Sequence, residues 1–537
     1  MKGWVIARSV DLVATGERAF VQELGDPEPN RLTYSSLLSP QDCEAIDLGA
    51  YRDARSWYVD DGRDATLVEG VSLGRAFEYS ATETLVRHRR AALILRKLLA
   101  DSADKTVRLR GVGEEWWTMA RALGAEPTAE GPGVVPSPVT GSDLTPPTWS
   151  RRMVARLAGV RRPENPWLVL VGSPVWAAPY HRHLLRGAPA QLVDPSRRLL
   201  LHAIGQRARI ASTWLADLDR RSRHPGLADS AIMSPEQQPL WAVEARFRVL
   251  QDAIASWAEE GRRVGGSGVV AVAGQDVLPP ERAFLLGLRA AGGRVITLEH
   301  GISGGYTEQV WSVADVLAAW GEPQAAYHRS AGPPGLRVVA LGWPSLEFPE
   351  APPPPAGDAW DLLHFSQFPG DLSAGAWPEV HIRAVQMVEE YAHQHPDRRV
   401  AIKLHPASQA MGFSAPPIRY AHLLMDNSLA LIRSARVVVA VSSTTGIEAM
   451  CLGRPVLQVL PHGYAGPTDF IADADAVQVD SVEELAAATE HLLSDRSAYG
   501  DASDRGLAYA RSFIRGFGQP GGAVERLADL VAELRHS

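Results

Sequence analysis

The stretch RRVAIKLHPAS ends an apolar run in Lys403, His405 and Pro406. A lysine and a histidine two residues apart on one side of a strand can donate together to a phosphate oxygen. The proline stops the strand and removes a competing backbone donor. The bland alternative is a histidine that satisfies a loop carbonyl, and the tetrapeptide alone leaves both open. Further on, RVVVAVSSTTGIEAMCLGRPVLQVL places Ser442, Ser443, Thr444 and Thr445 between an apolar run and a helix that begins near Gly446. Hydroxyls and backbone N–H groups at a helix N-terminus cradle phosphate, and the helix dipole favours the anion. A cap needs one hydroxyl, so four in a row exceed the structural need. Glu448, in the first turn or so, is placed to accept from ribose hydroxyls or to complement the dipole. A third stretch, RVITLEHGISGGYTEQ, ends a strand in Glu299-His300-Gly301. A histidine at a strand edge can take a proton from a hydroxyl, with a carboxylate beside it to orient it. The alternative is a turn that uses Gly301 for its backbone freedom.

Weaker candidates are Ser366 and Gln367 in HFSQFPG, Tyr464, Thr468 and Asp469 in PHGYAGPTDF, and Glu114 and Glu115 in GVGEEWW. GVGEEW departs from the G-x-G-x-x-G fingerprint at its last glycine, and the sequence shows neither a P-loop nor a metal-ligand cluster.

These residues need strand ends to stand on. Strands are expected at 3–8, 106–111, 166–172, 268–274 and 293–301, with a helix over 279–293 that opens on proline and closes on Gly-Gly. A proline-rich linker spans 347–359. Beyond it the pattern predicts strands at 360–367, 398–406, 436–443 and 454–460. Helices are expected at 379–395, 420–435, 445–453 and 481–496. Strands that alternate with helices imply parallel pairing and right-handed crossovers. The expected architecture is α/β: two doubly wound Rossmann-like domains, 1–346 and 360–537, facing a central cleft. Ligands in such sheets bind beyond the carboxyl ends of the strands.

The chain has 537 residues, 45% of them hydrophobic and 22% charged, with a formal net charge of −8. That balance gives no basic surface for wrapping nucleic acid. The arginine clusters at 88–94, 151–162 and 219–224 read first as solvated helix faces, and second as a rim for an anionic acceptor or a membrane surface. Cys43 and Cys451 are too few for a disulfide framework. The opening MKGWVIARSVDLV lacks a signal-peptide core, and no apolar run is long enough to span a bilayer. A cytoplasmic protein is expected, with at most peripheral association at the inner membrane face.

Taken in order, EHG, linker, KLHP and SSTTGIEAMCLGRPV resemble the GT-B glycosyltransferases and alditol-phosphate transferases of bacterial surface polysaccharides. That group includes capsule Kdo transferases, bacterial sialyl- and polysialyltransferases and CDP-glycerol glycerophosphotransferases. The resemblance covers about residues 265–470. It implies that Glu299 or His300 is the catalytic base. His405, Pro406, Ser442, Ser443 and Thr444 would bind a cytidine nucleotide's phosphate. The implied donor is CMP- or CDP-linked, used as a co-substrate without a separate cofactor, and the acceptor is a glycan or glycolipid hydroxyl bound by the N-terminal domain. Sialyltransferases carry two acidic residues before the glycine, whereas the second here is His300. That departure points toward the Kdo and glycerophosphate branches. A UDP-sugar 2-epimerase is the alternative enzyme, although SSTTGIEA lacks the paired glycines of its Ser-Gly-Gly-Glu segment. A UDP-sugar GT-B transferase would bring paired glutamates that are not found. A polysaccharide-binding scaffold is the alternative of another class.

Overall fold

The computed structural model of the chain describes residues 4–9, 12–14, 17–23, 30–100, 102, 105–130, 134–135, 167–171, 180, 183–184, 190–193, 209–210, 233–301, 312–355, 359–366, 378–405, 418–424, 427–460, 471–474 and 476–537. Runs such as LVLV (168–171), VAVA (270–273) and VLQV (456–459) are buried at every position. A strand apolar on both sides is stable only with helices on both faces of its sheet, which is the setting of parallel pairing.

Three parallel sheets result. The first joins β1 (Trp4–Ser9), β2 (Ala19–Glu23), β3 (Arg31–Leu32), β4 (Thr106–Arg110) and β5 (Glu126–Ala129) in the order β5-β4-β1-β2-β3. The second joins β6 (Leu168–Val171), β7 (Ala190–Val193), β8 (Arg209–Ile210), β9 (Val270–Ala273), β10 (Arg294–Leu298), β11 (Val316–Ala319) and β12 (Arg337–Ala340). Its order is β8-β7-β6-β9-β10-β11-β12. The third joins β13 (Trp360–Phe365), β14 (Val400–Lys403), β15 (His422–Leu424), β16 (Ala435–Ala440), β17 (Val456–Val459) and β18 (Val477–Val479) in the order β15-β14-β13-β16-β17-β18. In the second and third sheets the chain builds outward from its first strand, then returns to extend the opposite side. That reversal defines the doubly wound, Rossmann-type sheet, so the α/β class expected from the sequence is the one observed.

Three features depart from the sequence reading. Residues 1–346 carry two sheets where one domain with insertions was expected, because Thr106–Arg110 pairs beside Trp4–Ser9 while Leu168–Val171 starts a new sheet. The two bodies are joined by α1 (Leu73–Ala100). Its Phe77, Ala81 and Leu85 enter the core of the second sheet, and its Ile94, Leu95 and Leu98 enter that of the first. The segment 420–435 is not one helix. His422–Leu424 forms edge strand β15 against β14, and Asn427 Oδ1 accepts from Leu429 N at 3.0 Å, so the cap starts the helix only at Ser428.

The third departure concerns the C-terminus. The helices α2 (Gln238–Val264), α3 (Pro279–Ala290), α4 (Glu322–Ala331), α5 (Pro378–Gln394), α6 (Thr444–Cys451) and α7 (Arg496–Phe513) precede α8 (Gly522–His536). That last helix leaves the third sheet and lays Leu527, Leu530, Val531 and Leu534 on Leu168, Leu170, Val270 and Ile296 of the second. Without it one face of the second sheet would lose this apolar cover. The linker is held as well, since Arg454 Nη2 donates to Pro353 O at 2.9 Å and Trp343 stacks on Trp320 with centroids 3.7 Å apart. Among the described residues no helix is long and apolar enough to cross a membrane.

Leu527 is fully buried on the second sheet. Leu527→Ala is therefore expected to cost about 2–5 kcal/mol, read as a lower urea midpoint in the transition that reports the second sheet.

Candidate active site

The third sheet reverses its strand order between β13 and β16, and the crevice outside the carboxyl ends there is where such sheets take ligands. Ser442–Thr445 leave β16 at that point, Ser366 leaves β13, and Lys403 and His405 leave the adjoining β14. Sequence spacing and sheet topology thus converge on one edge.

The hydroxyl run divides its work. Ser443 is the N-cap of α6: its Oγ accepts from Thr445 N at 3.2 Å and from Thr445 Oγ1 at 2.7 Å, while Gly446 N donates to Ser443 O at 2.9 Å. Ser443 and Thr445 are therefore engaged in the cap. Ser442 and Thr444 flank it, half-buried. A Cβ at Gly446 would lie 2.7 Å from Ile471 Cδ1, so a side chain there would require Ile471 to shift.

The second sheet reaches the same place from the other side. Beyond β10 the chain turns at Gly301, whose φ of +82° is left-handed, and a Cβ there would stand 3.3 Å from Thr444 Oγ1. Glycine suits this position both for its backbone angle and for the close approach. The turn after His300 thus rests on the N-terminus of α6.

Glu299 and His300, adjacent in sequence, part company. The Glu299 carboxylate is wholly shielded: Oε2 accepts from Trp320 N at 2.8 Å and Oε1 from His328 Nε2 at 3.1 Å, and the partner imidazole is equally buried. It ties β10 to β11 and α4, and an acceptor hydroxyl has no access to it. His300 keeps an exposed edge, yet surrounding protein desolvates the ring and holds its pKa below the usual histidine value. His405 shows the same combination, its pKa lowered to about 4 by desolvation, then by Lys403 and by His300. An accessible edge within dense surroundings describes the wall of a cleft, and the effect of His300 on His405 puts the two rings on the same one.

Lys403 is buried and its pKa is lowered by desolvation, opposed by Glu448. Glu448 is also buried. Desolvation raises its pKa to about 7, against the pull of Lys403, and its Oε2 has no hydrogen-bond partner. Glu448 acts on Lys403, and Lys403 on His405, so a buried carboxyl, a buried ammonium and an imidazole line up along this edge.

Two further histidines lie behind this wall. His364, on β13, is fully buried, and its Nδ1–H donates to Val439 O at 3.1 Å. Desolvation lowers its pKa to about 4, against that hydrogen bond. His381, in the opening turn of α5, is lowered to about 3 by desolvation, with His364 and His405 adding to the effect. The sequence reading missed both as members of the site. His364 stands one residue from the end of β13 and His381 in the first turn of α5, positions that do not by themselves mark a site residue in the sequence.

Pro406, Gln367, Tyr464, Thr468 and Asp469 lie outside the described residues. Ser366 N donates to Lys403 O at 3.0 Å, which ties β13 to β14 at the edge. Glu114 and Glu115 are buried between helices, Glu114 against Arg246 at 3.5 Å, and belong to the packing of α1 and α2 rather than to this edge. Among the described residues no group of three or more His, Cys, Asp or Glu is placed to hold a metal ion.

No family model matches the chain, and no curated protein does. Solved structures give distant likenesses. A glycosyltransferase from Rickettsia africae is 9% identical, with 69% of this chain and 99% of that one covered at a TM-score of 0.39. HepE of Anabaena, in complex with UDP, is 11% identical, with 69% and 100% covered at 0.38. A putative UDP-N-acetylglucosamine 2-epimerase from Listeria monocytogenes is 14% identical, with 69% and 97% covered at 0.42. Likenesses at this level say nothing of substrate or reaction.

The buried histidines make stability depend on acid. In the unfolded chain they protonate near the ordinary value of 6.5, whereas folded His364 and His381 do so only near 4 and 3. Between these values the unfolded state binds more protons, so the stabilisation is complete above about pH 6.5. It falls as the pH drops through that window, by up to about 1.4 kcal/mol per pH unit for each histidine. Urea midpoints measured from pH 7 to pH 4 are expected to decline, and His364→Gln and His381→Gln should each flatten the decline.

Proposed function

We propose that the chain is a transferase that moves a sugar or alditol phosphate from a nucleotide-activated donor to a hydroxyl of a glycan acceptor. The donor we favour is cytidine-linked, of the CMP-Kdo, CMP-sialic acid or CDP-glycerol kind. The observation that carries this reading is the meeting of the two sheets' carboxyl edges at Gly301 and Thr444. It brings an accessible imidazole from one sheet to the basic and hydroxyl groups at the edge of the other.

Direct displacement follows from that placement. His300, neutral at physiological pH, accepts the proton of the acceptor hydroxyl as its oxygen attacks the donor. The attacked atom is the anomeric carbon for a sugar and phosphorus for an alditol phosphate. The bond to the nucleotide's phosphate oxygen breaks, and its electron pair leaves with that oxygen. Lys403, His405 and the N-terminus of α6 face the developing charge, and groups already oriented in a dry site stabilise it far better than water does. Ser442 and Thr444 add hydroxyl donors beside the cap. Glu448 offers a carboxyl to the donor's hydroxyls. Glu299 does not take part in the proton transfer. It holds the β10–β11 edge on which His300 stands.

A binding-only scaffold accounts less well for these residues. A stably folded protein without a ligand gains nothing from a buried carboxyl oxygen that lacks a partner.

Thermal-shift titration against CMP, CDP, UMP, UDP, GDP and ADP tests the reading. A ligand present at ~100 times its dissociation constant adds about 2.7 kcal/mol to the folded state. Stabilisation by CMP or CDP alone supports the cytidine donor, stabilisation by UDP alone moves the assignment to a uridine donor, and silence across the panel removes the transferase.

The roles of the two exposed histidines separate in the variants. His405→Ala is expected to weaken nucleotide binding and abolish transfer. His300→Ala should abolish transfer while leaving nucleotide affinity within about twofold, because a base acting on the acceptor contributes to the transition state and not to ground-state binding. Equal loss of nucleotide affinity in both variants would break this division.

A further inference from the structure

The groups at this edge carry fewer hydrogens to donate than a phosphate can accept. A phosphate diester offers acceptors only. A neutral imidazole has one donor and one lone pair, and an ionised carboxylate has lone pairs alone. Glu448 is the sharpest instance: its Oε2 is buried without a hydrogen-bond partner, and a carboxylate oxygen so placed would be repelled by any phosphate brought near Lys403. Protonated, the same oxygen becomes a donor. The imidazoles of His405 and His300 likewise gain a second donor on protonation.

The surroundings bear on these groups from several elements. His405 feels Lys403 at the end of β14 and His300 from the end of β10, while His381 on α5 feels His364 on β13 and His405. Glu448, on α6, feels Lys403. Its neighbours in the packing of α6 are α7, β16, β17 and the helix Ser428–Arg433, and none of these supplies a charge that acts on it. The cluster is therefore a set of cationic groups held neutral or weakened by desolvation, beside one carboxyl poised to be neutral. Each of these states reverses or deepens in one direction when an anion arrives, namely toward binding a proton.

We propose that this cluster takes up protons as it takes up a phosphate, so that an anionic ligand enters with hydrogen ions bound first by Glu448 and, as the pH falls, also by His405. This inference rests on the reading of the cleft as the site of a nucleotide-linked donor. Its consequence is that affinity is coupled to pH. The ligand binds more tightly as the solution becomes more acid, by up to about tenfold per pH unit for each proton taken up. A donor whose charge is neutralised on entry, and whose departing phosphate finds donors already protonated, also gives the leaving group a proton source within the site.

Isothermal titration calorimetry of the full chain tests the inference. The probes are CDP-glycerol and UDP-glucose, diphosphate diesters with no phosphate group that titrates near neutral pH, so any proton exchanged belongs to the protein. Each is titrated at pH 7.5 in HEPES and in Tris, and at pH 6.0 in MES and in Bis-Tris. The dependence of the observed heat on the buffer's ionisation enthalpy counts the protons. Uptake of a substantial fraction of a proton is expected at pH 7.5 and more at pH 6.0. Glu448→Gln should remove the uptake at pH 7.5 and leave most of that at pH 6.0, and His405→Asn should do the reverse. Where a variant binds too weakly to titrate, the wild-type slope of log Kd against pH decides, and a flat line overturns the inference. Binding without proton uptake at either pH overturns it while leaving the transferase reading intact. Uptake that survives both substitutions unchanged places the protons elsewhere and overturns it too. Failure of both diesters and of the whole nucleotide panel to bind removes the transferase reading, and this inference with it.

Discussion

Desolvation of basic side chains at the seam between two sheets is the constraint on which the site depends. Parallel strands buried on both faces leave no room for polar side chains along their length, so chemistry collects where the strands stop. In this chain two such edges are brought together at Gly301 and Thr444. Groups that would be ordinary cations in water, Lys403, His405 and His300, are there pushed toward their neutral forms. His364 and His381 extend the effect inward. A neutral imidazole bears such burial better than a charged one, and His364 gives its Nδ1–H to Val439 O. The burial of His364 and His381 lowers stability toward acid.

Keeping the seam in place requires that the sheets be held from outside it. The C-terminal helix, Gly522–His536, leaves the third sheet to cover the second, and Arg515 N donates to Trp320 O at 2.9 Å on the way. Gly321 permits that crossing, since a Cβ there would sit 1.8 Å from Phe513 O. At the opposite end, α1 runs from the core of the second sheet into that of the first. The first sheet in turn shares a cluster with Val380, Ala384, Met387 and Val388 of α5. The helix that carries His381 is therefore braced by a sheet that the sequence reading had assigned to another domain.

Much of this was legible in the sequence because it is local. The runs at 168–171, 270–273, 400–403 and 435–440 are apolar over lengths typical of strands, the Pro-initiated helix at 279–290 is marked at both ends, and the hydroxyl run announces a helix start. What the sequence could not show is pairing. Nothing in TVRLRG says that it lies beside WVIAR and not beside PWLVLVG, and so two sheets were read as one. The helix expected over 420–435 failed for a local reason that was in plain view, since Asn427 is a strong cap and a cap begins a helix. Helix Gly522–His536 is amphipathic whichever sheet it covers, so its destination is set by tertiary packing alone. His381 was invisible as a site residue for the same reason: in the sequence it is one polar position near the start of an amphipathic helix.

The pair Glu299-His300 shows how far the chemistry can be argued from placement. Strand geometry sends successive side chains to opposite sides, so two adjacent ionisable residues at a strand end cannot both serve one cleft without distortion. The structure resolves the choice by what each side chain touches. Glu299 is consumed by two interior hydrogen bonds, from the Trp320 amide and from His328. Those bonds fix the end of β10 against β11 and α4, and so fix the backbone from which His300 projects and at which Gly301 turns. Exchanging the roles would require the buried carboxylate to leave a donor amide and an imidazole unpaired in a dry interior, at a cost of several kcal/mol by the usual measure of such losses. In the proposed reaction the proton acceptor at this seam is therefore the His300 imidazole, its pKa lowered by desolvation.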